Sequence, residues 1–208
     1  LLDASDQCAR VSLVPEGAML LAADRIDIDI EVGAGTRLEI IEPAGTVAYD
    51  MRGRHATWDV RIRLAAGSTL VWAGEPFVAA AGSDVRRTTT VELGAGARLA
   101  LRETLVLGRY GEWPGRVKQS TRVSGADGSP LLAEDLDLDP VSAPHLIGRH
   151  RVVSSVLAIG GSATPPVPDD EPCLAEHRYD LESGGALWRR LGTDVHATQL
   201  TTPWAAVR

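Results

Sequence analysis

Three stretches of the chain alternate apolar and polar residues, and each runs into a turn of small residues. "RIDIDIEV" puts Ile26, Ile28, Ile30 and Val32 on one face, "WDVRIRL" does so with Trp58, Val60, Ile62 and Leu64, and "TVEL" with Val91 and Leu93. A period of two marks a β-strand with one buried face. The turns are "VGAG", "LAAG" and "LGAG", centred on Gly35, Gly67 and Gly96, with a Leu three residues after each glycine. The runs that come next, "RLEII", "TLVW" and "RLALRETLVL", are rich in β-branched and long apolar residues and read as return strands. Because Gly accepts positive φ without steric cost, each phrase is expected to be the tight turn of a hairpin.

A fainter fourth copy lies in "RVSGADGSPLLAEDLDLD", where Val123 leads into Gly125 to Gly128 and Leu132, Leu136 and Leu138 follow. Successive units of similar length imply a stack in which each buries its face against the next. The expected fold is therefore mainly β: stacked antiparallel hairpins in a β-helix-like scaffold, with one or two short C-terminal helices. Residues 1–208 are expected to form a single unit, with hairpin repeats over about 23–139 and a C-terminal segment over about 184–208. The six-residue period of a left-handed β-helix is not what the chain carries, since its period is about five times longer.

The pattern changes after Pro140. "VVSSVLAIGG", from Val152, reads as a short buried strand, and Pro165, Pro166, Pro168 and Pro172 make the next segment a loop. "GGALWRRLGTDVHATQLTTPWAAVR" holds the only helical signal. Asp194 is placed to cap a short helix through Val195, Thr198, Gln199 and Thr202, ended by Pro203.

Composition narrows the function classes. With 208 residues and 44% hydrophobic content the chain can bury a sizeable core. A formal net charge of −7, with basic residues scattered singly, argues against nucleic acid or an anionic membrane as partner. No apolar run approaches the roughly 20 residues that span a bilayer, and no signal-peptide layout opens the chain. Two distant cysteines, Cys8 and Cys173, suit a reducing compartment, so a cytoplasmic location is expected.

Catalytic signatures are missing. The five histidines, His55, His145, His150, His177 and His196, form no H-E-x-x-H or H-x-H pattern, and Cys173 with His177 is a lone Cys-x-x-x-His pair. No G-x-S-x-G, P-loop or G-x-G-x-x-G stands in a strand-to-helix context. What stands out is a carboxylate after each turn: Glu42, Glu75, Glu103 and Glu134. Singly, each reads as a solvated residue at a strand end. As a set in a stacked assembly, equivalent positions fall into rough register and line one edge or passage. Oxygen donors without rigid geometry suit passing contact with a divalent cation, not tight storage.

The order of "ADRIDIDIEVGAGTRLEIIEPAGTVAY", "GSTLVWAGEPFVAAAGSDVRRTTTVELGAGARLALRETLVLGR", "PLLAEDLDL" and "ALWRRLGTDVHATQLTTPWAAVR" resembles the landmark segments of the urease accessory protein family UreD, also called UreH. The resemblance implies a β-rich, non-enzymatic scaffold that binds apo-urease together with the proteins UreF and UreG. It implies assistance to nickel insertion and lysine carbamylation at the urease site, with GTP hydrolysis left to UreG and no tightly bound cofactor, only transient Ni²⁺. Carried over by position, the family's acidic residues fall on Asp24, Glu103 and Glu134, and a small polar residue on Thr46; Glu42 and Glu75 join Thr46 as further lining of a nickel passage. Where the family writes Pro-Pro-Gly-Gly and Gly-Gly-Asp, this chain has "PEGAMLLAAD". Two other readings remain: a β-helical or cupin-like metalloenzyme using three close ligands such as His145, His150 and a carboxylate, and a structural β module without a metal role.

Overall fold

The structure is a computed structural model, and it describes residues 1–14, 17, 19–160 and 176–208. Its strands are β1 (Asp3–Ala4), β2 (Cys8–Ser12), β3 (Met19–Leu20), β4 (Arg25–Val32), β5 (Arg37–Ile41), β6 (Thr46–Ala48), β7 (Ala56–Leu64), β8 (Thr69–Ala79), β9 (Asp84–Leu93), β10 (Arg98–Leu107), β11 (Arg116–Ser124) and β12 (Pro130–Leu138). A short helix α1 (Ala143–Ile147) precedes β13 (Val152–Ile159), β14 (Glu176–Asp180) and β15 (Gly185–Gly192). A 3-10 turn (His196–Thr198) and helix α2 (Thr201–Val207) complete the chain.

Among the described residues the strands form two sheets. One has the order β12-β11-β9-β7-β4; the other runs β1-β2-β5-β8-β10-β13-β15-β14, with β6 and β3 attached beside β8. The mainly β, β-helix-like stacking is as the repeats imply, but the pairing inside each repeat is not. Each glycine turn carries the chain from one sheet to the other, and the strands pair in parallel with the same strand of the next repeat. Thus Ile26 lies opposite Trp58 and Trp58 opposite Arg87, offsets equal to the glycine spacings. Likewise Arg37 lies opposite Thr69, and Thr69 opposite Arg98.

The physical reason for the correction is that a period of two reports one buried face and is silent about the hydrogen-bonded neighbour. The faces of β4 and β5 meet across the core instead of lying side by side. Each turn is closed by a bond from its fourth N–H to its first carbonyl, Thr36 to Gly33 at 3.2 Å, Ser68 to Ala65 at 3.1 Å and Ala97 to Gly94 at 3.0 Å. The third residue has φ of +67°, +67° and +68°, the left-handed value that selects Gly. The turns also bond to one another, Gly35 N–H to the Ala66 carbonyl and Gly67 N–H to the Ala95 carbonyl. Only the faint fourth copy is a hairpin: β11 and β12 pair antiparallel from Val117 opposite Leu138 to Val123 opposite Leu132.

The alternating faces meet in one core that includes Ile30, Trp58, Ile62, Leu70, Val91, Leu101 and Leu157. A second cluster, with Val71, Val156, Trp188, Leu200 and Trp204, packs α2 onto the outer face of the larger sheet. Val152–Ile159 is the buried strand that its sequence implies, antiparallel to β10. Asp194 does cap, accepting from the Ala197 N–H at 2.8 Å, but what it caps is the 3-10 turn. Pro203 does not end the helix. It sits in the first turn of α2, where its missing N–H has no intrahelical partner to lose. The proline-rich segment and Cys173 lie outside the described residues.

Candidate functional site

Between the sheets the apolar core is interrupted by charge. On β9 the inward positions read Val85, Arg87, Thr89, Val91; on β11 they read Val117, Gln119, Thr121, Val123. Trp58, Arg87 and Gln119 stand in one row across the smaller sheet. On the larger sheet Glu103, Ser155 and Arg189 form the facing row. On the β8 side of Glu103 the register shifts: Arg102 pairs with Ala73 and Thr104 with Pro76, so Gly74 and Glu75 together oppose one residue. This is a β-bulge, and Pro76 is tolerated beside it. A Cβ at Gly74 would lie 2.5 Å from the Arg102 carbonyl oxygen, so the close approach demands glycine.

The result is a chain of paired charges. Arg87 donates to Glu103 at 3.0 Å and to Gln119 at 3.0 Å, and Gln119 donates to the other Glu103 oxygen at 3.2 Å. The Arg87 guanidinium also lies 4.8 Å from the Phe77 ring centroid and 6.0 Å from that of Trp58, which favours a partly desolvated cation. Arg102 reaches Glu75 at 3.0 Å and the Trp204 ring of α2 at 5.4 Å. Arg189 grips Glu134 with two bonds, 2.7 and 2.9 Å, joining β15 of one sheet to β12 of the other.

Glu42, just past β5, is held differently. Its carboxylate accepts from the Trp72 indole N–H at 2.8 Å and from the Glu75 backbone N–H at 3.0 Å. Burial pushes its carboxyl above the usual range, against the lowering effect of those two bonds and of Arg87, and with a small push from Glu103.

Two small, partly open cavities run along this row. Glu42, Thr46, Glu75, Arg87, Arg102 and Glu103 line the first, together with Trp58, Trp72 and Phe77; it has a volume of about 40 Å³. Glu103, Thr121, Glu134, Ser155 and Arg189 line the second, of about 20 Å³. Each has room for at least one water. Glu103 is a wall of both. A groove of about 370 Å³ beneath α2 shares Glu75 and Arg102 with the first space and Ser155 with the second.

Of the residues singled out from sequence, Glu42, Thr46, Glu75 and Glu103 converge on one space, and Glu134 joins Glu103 at the next. Asp24 does not join them. It lies in the exposed turn before β4, where its side chain accepts from the Leu21 N–H at 2.8 Å. The guanidinium groups Arg87, Arg102 and Arg189 were not read from sequence. A charge at an inward position of an alternating strand, as in Val85, Arg87, Thr89, Val91, was the available signal. Among the described residues no group of three or more His, Cys, Asp or Glu is arranged to hold a metal ion, and no helix is long and apolar enough to cross a membrane.

The family model described as UreD urease accessory protein matches residues 2–206. Urease accessory protein UreD 1 of Streptomyces griseus subsp. griseus is 45% identical over 202 residues, covering 96% of this chain and 76% of that protein. UreD 2 of Saccharopolyspora erythraea is 37% identical, covering 81% of this chain and 62% of that protein, and UreD of Frankia casuarinae is 39% identical, covering 73% and 52%. The chain thus spans about three quarters of the first relative and less than two thirds of the other two. On the family match over nearly its whole length, the chain belongs to the UreD urease accessory protein family.

Proposed function

We propose that this chain is a non-catalytic, cytoplasmic scaffold for urease maturation, and that divalent nickel passes as cargo along the carboxylate row between its sheets. The partners in this reading are apo-urease, UreF and UreG. The observation that carries it is the row itself: Glu42, Glu75, Glu103 and Glu134 succeed one another along two adjoining cavities of the β sandwich, each partly withdrawn from water. Taking a carboxylate out of water is costly, and apolar residues would fill those positions at less expense. Charges kept in such a place point to use.

The chemistry fits cargo better than storage. The donors are carboxylate oxygens without thiolate or imidazole among them, which gives exchangeable contacts to a divalent ion. Each step along the row exchanges one pairing for another: a guanidinium releases its carboxylate as the cation arrives and takes it back as the cation leaves. Four carboxylates face three guanidinium groups, and Glu42 is the one held by neutral donors. With Glu42 ionised, the row holds one more carboxylate than guanidinium groups.

The test is reconstitution. The chain is co-expressed with urease structural subunits, UreF and UreG, and urease activity and nickel content are measured. The proposal expects the chain to co-purify with these proteins and activation to collapse without it; full activation in its absence overturns the reading.

A further inference from the structure

The larger sheet is breached beside Glu75. On one side of β8 the pairing with β5 stops at Ile41, opposite Ala73, and resumes only at Thr46 of β6, opposite Phe77. On the other side β10 pairs Arg102 with Ala73 and Thr104 with Pro76. Among the described residues Gly74 and Glu75 are therefore unmatched in both ladders, and Pro76 has no N–H to donate to either. We propose that this breach is the outer mouth of the carboxylate row, where the cargo cation passes between the interior and the groove beneath α2, and that Arg102 is its stopper. The inference rests on the cargo role proposed above and adds where the row meets the outside and which side chain guards it.

The spaces on the two faces of the sheet share the walls of the breach. Gly74, Glu75, Arg102 and Thr104 line both the interior cavity of about 40 Å³ and the groove of about 370 Å³. Side-chain exposure falls along the row, from 39% at Glu75 through 31% at Glu103 to 22% at Glu134, so of these three the wettest stands at the breach. A divalent ion arrives with a shell of waters, which the groove can hold, whereas the cavity has room for only a few. The ion must shed water where it crosses the sheet. Oxygen donors stand there to replace it: the Glu75 carboxylate, and the Glu42 carboxylate that accepts from the Glu75 N–H at 3.0 Å.

What fills the breach is a side chain. Arg102 donates from Nε to the Gly74 carbonyl at 3.3 Å and from a terminal nitrogen to the Glu75 carboxylate at 3.0 Å, and its guanidinium lies 5.4 Å from the Trp204 ring of α2. About a third of each partner's side chain is wet, and ion pairs so exposed contribute little, so this one exchanges readily for a cation. Arg208 is a further charged side chain of the groove, and with Arg102 it faces the single carboxylate Glu75 there. The groove itself does not gather cations. The pull comes from behind the breach, where Glu42, Glu75 and Glu103 face Arg87 and Arg102. Arg102 must leave Glu75 before an ion gets past, which makes it the side chain that sets the resistance to passage.

Full-length variants are co-expressed with urease structural subunits, UreF and UreG, and nickel per urease site is measured. Ala205 and Ala206 are both exposed on α2, but only Ala205 lines the groove. Ala205→Trp, which places an indole in the groove, is expected to co-purify with these proteins and to cut nickel loading severalfold; Ala206→Trp should load as the wild type does. Equal loading by the two overturns the mouth. Glu103→Gln, run alongside, separates the two readings. If it blocks loading and Ala205→Trp does not, the row stands and this mouth falls; if neither blocks loading, the row falls and the mouth with it.

A second measurement needs no partner. Ni²⁺ is titrated onto the isolated full-length chain by equilibrium dialysis, with circular dichroism establishing that each variant is folded. Arg102→Gln frees the Glu75 carboxylate and should tighten Ni²⁺ binding severalfold, and adding Glu75→Gln should remove the gain. An arginine with a structural role alone gives no such gain. Absence of the gain in folded Arg102→Gln overturns the proposal, and this titration decides alone if Ala205→Trp prevents assembly.

Discussion

The Glu134–Arg189 pair bridges the two sheets, and replacing its members separately and together tests why charge is kept in the core. The two side chains are 22% and 16% exposed. Removing one partner from a fully buried pair costs about 3–5 kcal/mol because the other charge is left uncompensated. With about a fifth of each side chain still wet, Glu134→Met or Arg189→Met is expected to cost about 2–4 kcal/mol. That corresponds to a fall of roughly 6–12 °C in Tm at about 3 kcal/mol for a chain of this size. Four of the neighbours, Leu101, Leu132, Leu157 and Leu187, are apolar, beside Glu103, Thr121 and Ser155. The double variant should therefore lie within about 1 kcal/mol of the wild type, a coupling of several kcal/mol in the double-mutant cycle. Urea denaturation of the four proteins measures it. The double variant should fold well and support nickel loading of urease poorly, which separates stability from use. Single losses below about 0.5 kcal/mol, or a double loss equal to the sum of the singles, would refute the reasoning.

Other outcomes rest on the same geometry. Because burial raises the folded-state pKa of Glu42, ionising it costs stability as pH rises through the ordinary carboxylate range and beyond, a cost absent below it. Urea denaturation at pH 4 and pH 7 should show Glu42→Gln gaining on the wild type at the higher pH; a gain at the lower pH would contradict it. Gly96→Ala places its Cβ in open space at φ +68° and should cost about 1 kcal/mol by thermal melting. Gly74→Ala drives its Cβ to 2.5 Å from a backbone oxygen and should cost more, with loss of the bulge that aims Glu75; equal costs would mean the bulge relaxes freely.

Much of the fold was legible because the repeats count residues. Adding the glycine spacings to Glu42 leads to position 74 and then to Glu103, so stacking brings those positions into line, and the bulge puts Glu75 one residue beyond. Glu134 arrives by another route, on the antiparallel β12, and its meeting with Glu103 was not contained in the spacing. Strand pairing was misread because Ile26, Ile28 and Ile30 announce a buried face whichever neighbour bonds to them. The arginine partners were visible in principle. Arg87 and Arg189 occupy inward positions of their strands, but neither belongs to the repeated phrase that singles out the carboxylates. Helix α1, at five residues, is too short for a helical period to show. Asp24 was placed by resemblance alone, and the turn before β4 holds it away from the row.

The central claim rests most directly on Glu103, a wall common to both cavities. The measurement is nickel bound per urease active site after co-expression with Glu103→Gln, which retains one acceptor for Arg87 or Gln119 and removes the charge. The account predicts that the complex co-purifies at wild-type yield while nickel content and urease activity fall severalfold. Full nickel loading by a folded Glu103→Gln chain would contradict it.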